Sequence, residues 1–291
     1  MIITAKDLIN KAGDLVTLPN IYLRLREVVE DVRASNRDVA ALISEDAGLA
    51  ARILRIANSS FYGFPSNVDT ITRAVTVIGT RQITDVVMAT TVLDMFDGVP
   101  EDKASMQDFW HHSISCGVAA RVLATYRREM NVERFFVAGL LHDIGKLVMF
   151  LSLGERYWEI IRFSEEADVL LNVAEKEQLG FDHSDVGSLL LKEWELPKHT
   201  IDAVKYHHNY SDDGYIGVDA AVVHVAEVVA SAIYASEGGE IMVPPLYRPA
   251  WDAVALPVSI FAPAVKQIKR QYDDAVELIS PGNNEIGYAC A

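Results

Sequence analysis

The stretch Phe136-Val137-Ala138-Gly139-Leu140-Leu141-His142-Asp143-Ile144-Gly145-Lys146 decides the reading of this chain. It is apolar on nearly every side, which predicts a buried helix, placed over Val132 to Phe150. A carboxylate carried into such a core must be paired or must bind a metal, because burying its charge alone is very unfavourable. The plainer alternative for Asp143 is a structural carboxylate bonded to Lys146 or to a helix N-terminus.

More histidines lie outward from that stretch, each in a segment that reads as helix. Upstream are His111 and His112, and only one of them can lie on an inner face; helical spacing alone does not choose between them. Downstream, His183 follows Asp182, which reads as the N-cap of a helix through Val186, Leu189 and Leu190. Pro197 opens a helix that ends at His207-His208. Adjacent helical residues point about 100° apart, so both imidazoles reach one pocket only if it wraps the end of that helix. The ordinary alternatives are a solvent-facing His207 or His208 and a surface or capping His183. His199 and His224 read as structural or surface residues. Imidazoles and a carboxylate drawn from several helices are the materials of a metal site in a helical bundle. They suit one or two divalent ions of Fe, Mn or Zn, which could generate a hydroxide for attack on phosphorus. Cations for phosphate are few; Lys146 and Lys205 are the candidates.

The rest of the chain is also helical in pattern, and the expected fold class is all-α. Ile21, Leu25, Val28, Val29 and Val32 recur at helical spacing behind Pro19. Ser35 and Asp38 look like a capping box, and Asp46 like the N-cap of Ala47 to Ala57. Ile71 to Ile78 is a short helix stopped by Gly79, and Thr80 opens the next. Asp97-Gly98-Val99-Pro100-Glu101-Asp102 is the clearest break, after which Ser105 and Asp108 cap a long helix through Tyr126. Gly154 to Phe163, Val169 to Leu179 and Val218 to Tyr234 read as further helices, Gly238 to Pro257 as irregular, and Pro263 to Ile279 as a last amphipathic helix. The expected organisation is a helical subdomain over 1–100, a bundle over 101–236, and an irregular segment with a terminal helix over 237–291.

Composition bounds the function. The 291 residues are half hydrophobic and carry 26 Lys and Arg against 41 Asp and Glu, a formal charge of −15. Such a surface repels phosphate backbones and anionic lipid, so neither nucleic acid nor membrane is expected as a partner, and a helix-turn-helix reading is set aside. No uninterrupted apolar run approaches the ~18 residues of a membrane span. The two cysteines, Cys116 and Cys290, do not suggest a secreted disulfide framework, and a cytoplasmic location is expected.

These residues resemble the HD superfamily of metal-dependent phosphohydrolases, whose pattern is a first His, a His-Asp pair and a later Asp; a diguanylate-phosphodiesterase branch adds histidines. Carried over, the first His is His112, since Trp110-His111-His112-Ser113 resembles the family's Trp-x-His-Ser run. The pair is His142-Asp143, and the extra histidines are His183, His207 and His208. Glu227 stands where the family usually has Asp, and its extra methylene moves the carboxylate. The resemblance thus implies a metal set of His112, His142, Asp143, His183, His207, His208 and Glu227. In an active enzyme, Asp143 would bind or bridge metal and Lys146 would steady a phosphate.

The first half narrows the resemblance to the HDOD domain. It is carried by Leu18-Pro19, Ile43-Ser44-Glu45-Asp46-Ala47-Gly48-Leu49, Leu54-Arg55-Ile56-Ala57-Asn58-Ser59-Ser60-Phe61-Tyr62-Gly63, Ile71-Thr72-Arg73-Ala74-Val75 and Ile78-Gly79. Glu175, Gly180-Phe181-Asp182-His183, Val186-Gly187, Trp194-Glu195-Leu196-Pro197 and His207-His208 agree. Ala47 replaces a common Pro. The resemblance covers about residues 12–235. It implies an HD-like bundle behind an N-terminal helical subdomain. It also implies a module of bacterial two-component or second-messenger signalling, with protein partners such as receiver or output domains. No receiver domain is visible, so a standalone protein or a fragment is expected. The alternative is a metal-dependent phosphohydrolase or phosphodiesterase acting on a nucleotide, cyclic dinucleotides included.

Overall fold

The computed structural model describes residues 3–95, 106–208, 216–236 and 242–279. Its helices are, in order, α1 (Ala5–Ala12), α2 (Asn20–Glu30), α3 (Asn36–Ile43), α4 (Ala47–Asn58), α5 (Ile71–Ile78), α6 (Thr80–Met95), α7 (Met106–Tyr126), α8 (Glu133–Leu141), α9 (Ile144–Leu153), α10 (Glu155–Ala167), α11 (Leu171–Leu179), α12 (His183–Glu193), α13 (Lys198–Tyr206), α14 (Val218–Ser236), α15 (Arg248–Val254) and α16 (Phe261–Ile279). No strand occurs among the described residues, and the fold is all-α as expected.

The chain divides into two compact units. The smaller joins Leu18–Lys103 with Lys266–Ala291. Its helices start and stop where local chemistry directs. Ser35 and Asp38 close a reciprocal capping box on α3, Asp46 accepts from Leu49 N at the start of α4, and Thr70 accepts from Arg73 N at the start of α5. Gly79 ends α5 with φ of 102°, a conformation that an L side chain rarely adopts. Leu25, Val39, Ile43, Ile53, Ala74, Val75, Ile83 and Val87 form the apolar centre, all at 1% exposure or less. Fully burying such a side chain contributes roughly 1.5–3 kcal/mol. Asn58 staples the loop after α4 by donating to the Val68 carbonyl and accepting from Val68 N. Within the same unit, Ser60 N donates to the Asp274 carboxylate on α16. Val32 departs from expectation: α2 ends at Glu30, and Val32 is 98% exposed.

The larger unit joins Met1–Thr17 with Ala104–Val265. The sequence grouping puts the chain's start with the first hundred residues, whereas contacts of the described residues from 3 to 17 put it with the bundle. Thr4 and Asp7 close a capping box, and α1 buries Leu8 and Ile9 against α9 and α12. Ser152 donates to the Leu8 carbonyl, Lys11 donates to the Ser152 carbonyl, and Trp194 Nε1 donates to the Val16 carbonyl. In the bundle α7 packs on α8 and α14, and α12 on α9 and α13.

Two glycine contacts make these approaches close. A Cβ on Gly139 of α8 would stand 2.8 Å from the Cys116 carbonyl oxygen and from Gly117 Cα on α7. A Cβ on Gly145 of α9 would overlap the His183 carbonyl oxygen and stand 2.7 Å from Gly187 N on α12. Each pair of helices therefore meets backbone to backbone.

Two further sequence expectations need correction. The single helix over Val132 to Phe150 is two, α8 and α9, broken at His142-Asp143. Asp143 has φ −98° and ψ 6°, the sparsely populated bridge conformation, and stands as the N-cap of α9. The apolar period runs through the break, which is why periodicity did not reveal it. Next, the segment expected to be irregular contains α15, with Pro249 in its first turn, where the missing N–H is not needed. Arg127 fastens its C-terminal end by donating to the carbonyls of Ala253 and Val254. Over an 18-residue window Glu133–Leu153 and Val218–Ser236 reach the mean hydropathy of membrane-crossing segments, but charged residues interrupt both, and 78% and 61% of those windows are buried inside the protein. The break at Asp97–Asp102, the Ser105 cap and Cys290 lie outside the described residues; Cys116 is a buried free thiol.

Candidate metal centre

The site is made mostly from helix ends, where side chains splay from the regular ladder. His142 caps the C-terminus of α8, and Asp143 caps the N-terminus of α9. His183 is the first residue of α12, set there by the Asp182–Asp185 capping box. His207 caps the C-terminus of α13 and His208 follows it. His112 and Glu227 come from within α7 and α14.

These seven residues converge in two groups. One donor atom from each of Asp143, His183, His207 and His208 lies within 4.8 Å of the others, and the same holds for His112, His142 and Glu227. Asp143 joins the groups. Its Oδ1 is 3.2 Å from His183 Nε2, while its Oδ2 is 3.2 Å from His142 Nε2 and 3.8 Å from His112 Nε2. The His207 and His208 rings are 4.0 Å apart, so the pocket does wrap the end of α13. Of the adjacent pair on α7, His112 is the one facing the site, with its ring 5.3 Å from that of His142. The longer Glu227 side chain still reaches: its Oε1 is 3.6 Å from His208 Nε2.

Whether these residues fit a metal is decided by their other contacts. His142 Nδ1 lies 2.7 Å from the Gly139 carbonyl oxygen, and His207 Nδ1 2.6 Å from that of Val204. Since a carbonyl only accepts, each Nδ1 must carry the proton. His183 Nδ1 is 2.6 Å from Glu175 Oε2, which assigns it the same tautomer. Nε2 is then the atom each ring would offer to a metal. Burial disfavours charge on His142 and His183, yet Asp143 beside the one and Glu175 beside the other raise both above the ordinary imidazole value. An ion entering there would displace the Nε2 protons that face Asp143. His142 Nε2, His183 Nε2, His207 Nε2, Asp143 Oδ1 and Glu227 Oε2 are buried and make no hydrogen bond. Buried polar atoms rarely go unsatisfied; here the His142 and His183 Nε2 atoms have only the Asp143 carboxylate at 3.2 Å, and His207 Nε2 and Glu227 Oε2 are left without a hydrogen bond beside them. Imidazole with carboxylate is the donor set of a divalent Fe, Mn or Zn ion, and the residues fit one.

Electrostatics agree with close crowding. Burial opposes the Asp143 charge, but His142 and Lys146 outweigh it and hold its pKa well below the usual carboxylate range. Lys146 Nζ donates to Asp143 Oδ2 at 2.6 Å, the pairing foreseen as the plain alternative, yet Oδ1 stays without a hydrogen bond. Burial pushes Glu227 up to about 7 and His112 down to about 3. Burial also lowers His207 and His208 well below the ordinary imidazole value. His112, Lys146, His183, His208 and Glu227 line a cavity of about 240 Å³, closed on its far side by residues of α10, α11 and the segment at Met242. Lys205 does not line it; its ammonium donates to Asp185.

Sequence reasoning missed the layer behind the ligands. Glu175 on α11 is fully buried and accepts from His183 N, His183 Nδ1 and Tyr157 Oη. In the sequence Glu175 belongs only to the family pattern, because its contact with His183 depends on the turn at Gly180. His224, read as structural or surface, is buried. Its Nδ1 donates to the His207 carbonyl, and its Nε2 accepts from Tyr247 N.

The HDOD domain family matches residues 15–210. An HDOD domain protein of unknown function from Geobacter sulfurreducens is 24% identical, with a TM-score of 0.69 over 95% of each chain. A proposed metal-dependent phosphohydrolase from Shewanella amazonensis SB2B is 25% identical, with a TM-score of 0.68 over 94% of this chain and 95% of that one. An uncharacterised protein of Treponema pallidum is 22% identical over 206 residues, 70% of this chain and 40% of its own length. This chain thus spans under half of that relative.

Proposed function

We propose, from the premise that this chain belongs to the HDOD family, that it is a metal-dependent phosphohydrolase acting on a small phosphate ester, with a nucleotide as the substrate class. One observation carries the reading: seven imidazole and carboxylate donors converge in two groups, and five of their buried donor atoms make no hydrogen bond. His112, His142 and Glu227 would hold one ion, His183, His207 and His208 the other, and Asp143 would bridge them. A divalent pair supplies Lewis-acid activation of water and neutralises charge at phosphorus. The protein does the rest. The backbone carbonyls of Gly139 and Val204 and the carboxylate of Glu175 fix the ring orientations. Lys146, a cation at the cavity wall, orients a phosphate oxygen. The cavity of about 240 Å³ admits a phosphate with part of its ester group and limits the water that enters with it.

A second reading has its own support. HDOD membership fits a signalling module, and Lys146 is the sole Lys or Arg among the described residues lining the cavity, already engaged by Asp143. On this reading the loaded centre binds a phosphorylated ligand without turning it over, and a protein partner such as a receiver or output domain reads the bound state. The test is metal analysis of the purified wild type and of Asp143→Asn. It is followed by hydrolysis assays on p-nitrophenyl phosphate, bis-p-nitrophenyl phosphate and cyclic dinucleotides with added Mn(II). Turnover present in wild type and lost in the variant is expected. A loaded wild type that turns over none of these sinks the hydrolase reading and leaves the signalling one.

A further inference from the structure

The two ligand groups are not equivalent in what stands behind them. His142 and His207 each give their Nδ1 proton to a neutral backbone carbonyl. His183 alone gives its proton to a carboxylate, and that carboxylate is itself held on two sides: Tyr157 Oη donates to Glu175 Oε1 at 2.6 Å, and His183 N donates to Oε2 at 2.8 Å. Tyr157, Glu175 and His183 are each 2% exposed or less, so water does not loosen the chain. An imidazole whose far nitrogen donates to a carboxylate is a stronger σ-donor and is locked in orientation. Asp143 would serve both ions, so each group offers four donors, but in the other group His112 keeps an 18% exposed side chain, against 10% for His208 and 1% for His183.

Resting on the metal-centre reading above, we propose that the Tyr157–Glu175–His183 relay makes the two metal positions unequal. The ion at Asp143, His183, His207 and His208 binds first and tightly. The ion at His112, His142 and Glu227 binds second and weakly, so metal supply sets whether the centre holds one ion or two. Glu175 is a positioning residue in this arrangement, touching His183 rather than any ligand of the cavity.

The experiment is calorimetric titration of the metal-free full chain with Mn(II) alone, in wild type, Glu175→Gln and His112→Ala. Gln keeps the size of Glu175 and, with its carbonyl oxygen turned to His183 and its amide donating to Tyr157 Oη, keeps the contacts with that one bond reversed, but it removes the charge. Wild type is expected to show two phases. Glu175→Gln should weaken the tight phase by about 10–100-fold, the usual effect of losing such a partner, and move the weak phase much less. His112→Ala should abolish the weak phase and leave the tight one, which tests the assignment even if the Glu175 variant fails to fold. A single wild-type phase, an equal shift of both phases in Glu175→Gln, or loss of the tight phase in His112→Ala overturns the inequality while leaving the metal centre intact. No Mn(II) uptake by wild type overturns both.

Discussion

The two units solve the problem of a core in opposite ways. In the smaller, the central cluster consists of apolar side chains alone, and the buried hydroxyls of Thr84, Thr90 and Thr91 return to carbonyls of their own helix. In the larger, the centre holds His142, Asp143, His183, His207 and Glu227, each 4% exposed or less and each with an atom left without a hydrogen bond. The apolar cluster of the one brings no polar side chain to its centre, whereas the centre of the other gathers imidazoles and carboxylates that could hold a ligand.

That contrast can be broken by experiment. The largest effect expected is on metal: Asp143→Asn should reduce stoichiometric metal to below detection, because Asp143 serves both ligand groups. Circular dichroism should show the helices retained; a variant that unfolds would mean that the polar core also carries the fold. In the other unit, Ile53→Ala should lower stability by about 2–5 kcal/mol through the cavity it leaves, with metal stoichiometry unchanged. Urea unfolding with parallel metal analysis checks both halves of that statement.

Gly145→Ala should join the two kinds of loss. Its methyl group would overlap the His183 carbonyl, so an overpacking penalty of about 1–3 kcal/mol should accompany weaker metal binding as α12 moves away from Asp143. Unaltered Mn(II) affinity in this variant would show that His183 tolerates the shift.

The smallest effect is a pH dependence of the metal-free protein. Glu227 holds its proton up to about pH 7 in the folded chain, against an ordinary value of 4.5. A raised folded pKa means stability fully present below 4.5 and lost as pH rises through 7. Glu227→Gln removes that loss, so the urea midpoint of the variant relative to wild type should climb between pH 5 and pH 7.5 in chelator. His112, held down to about 3, acts in the other direction and in both proteins alike, favouring the fold above pH 6.5 and giving that stability up as pH falls through 3. A midpoint difference that stays flat across this range would mean Glu227 is ionised throughout.

What could be read from the residues follows from the range of the forces involved. Caps act within four residues, so Ser35, Asp46, Gly79, Gly180 and Asp182 were legible as helix ends. The break at Asp143 was not, because the apolar run on either side predicts continuity and only contacts distant in sequence stop it. The capping box of Thr4 and Asp7 was there to be read at the start of α1, and the attachment of that helix to α9 and α12 was not. The set of candidate ligands was visible as residue types in order along the chain. Their division into two groups, the choice of His112 over His111 and the position of Glu175 behind His183 depend on geometry that spacing does not encode.

The interruption at His142-Asp143 has one more consequence. Glu133–Leu153 is hydrophobic and long enough to be taken for a bilayer-spanning segment as it leaves the ribosome. Asp143 and Lys146 fall near its middle, where each charge opposes insertion by about 2.5–3.5 kcal/mol on the translocon's scale. An insertion reporter carrying this segment should therefore stay on the near side of the membrane, and one carrying Asp143→Leu with Lys146→Leu should cross. The ion pair beside the metal-ligand groups would thus also disfavour burial of this apolar stretch in a bilayer.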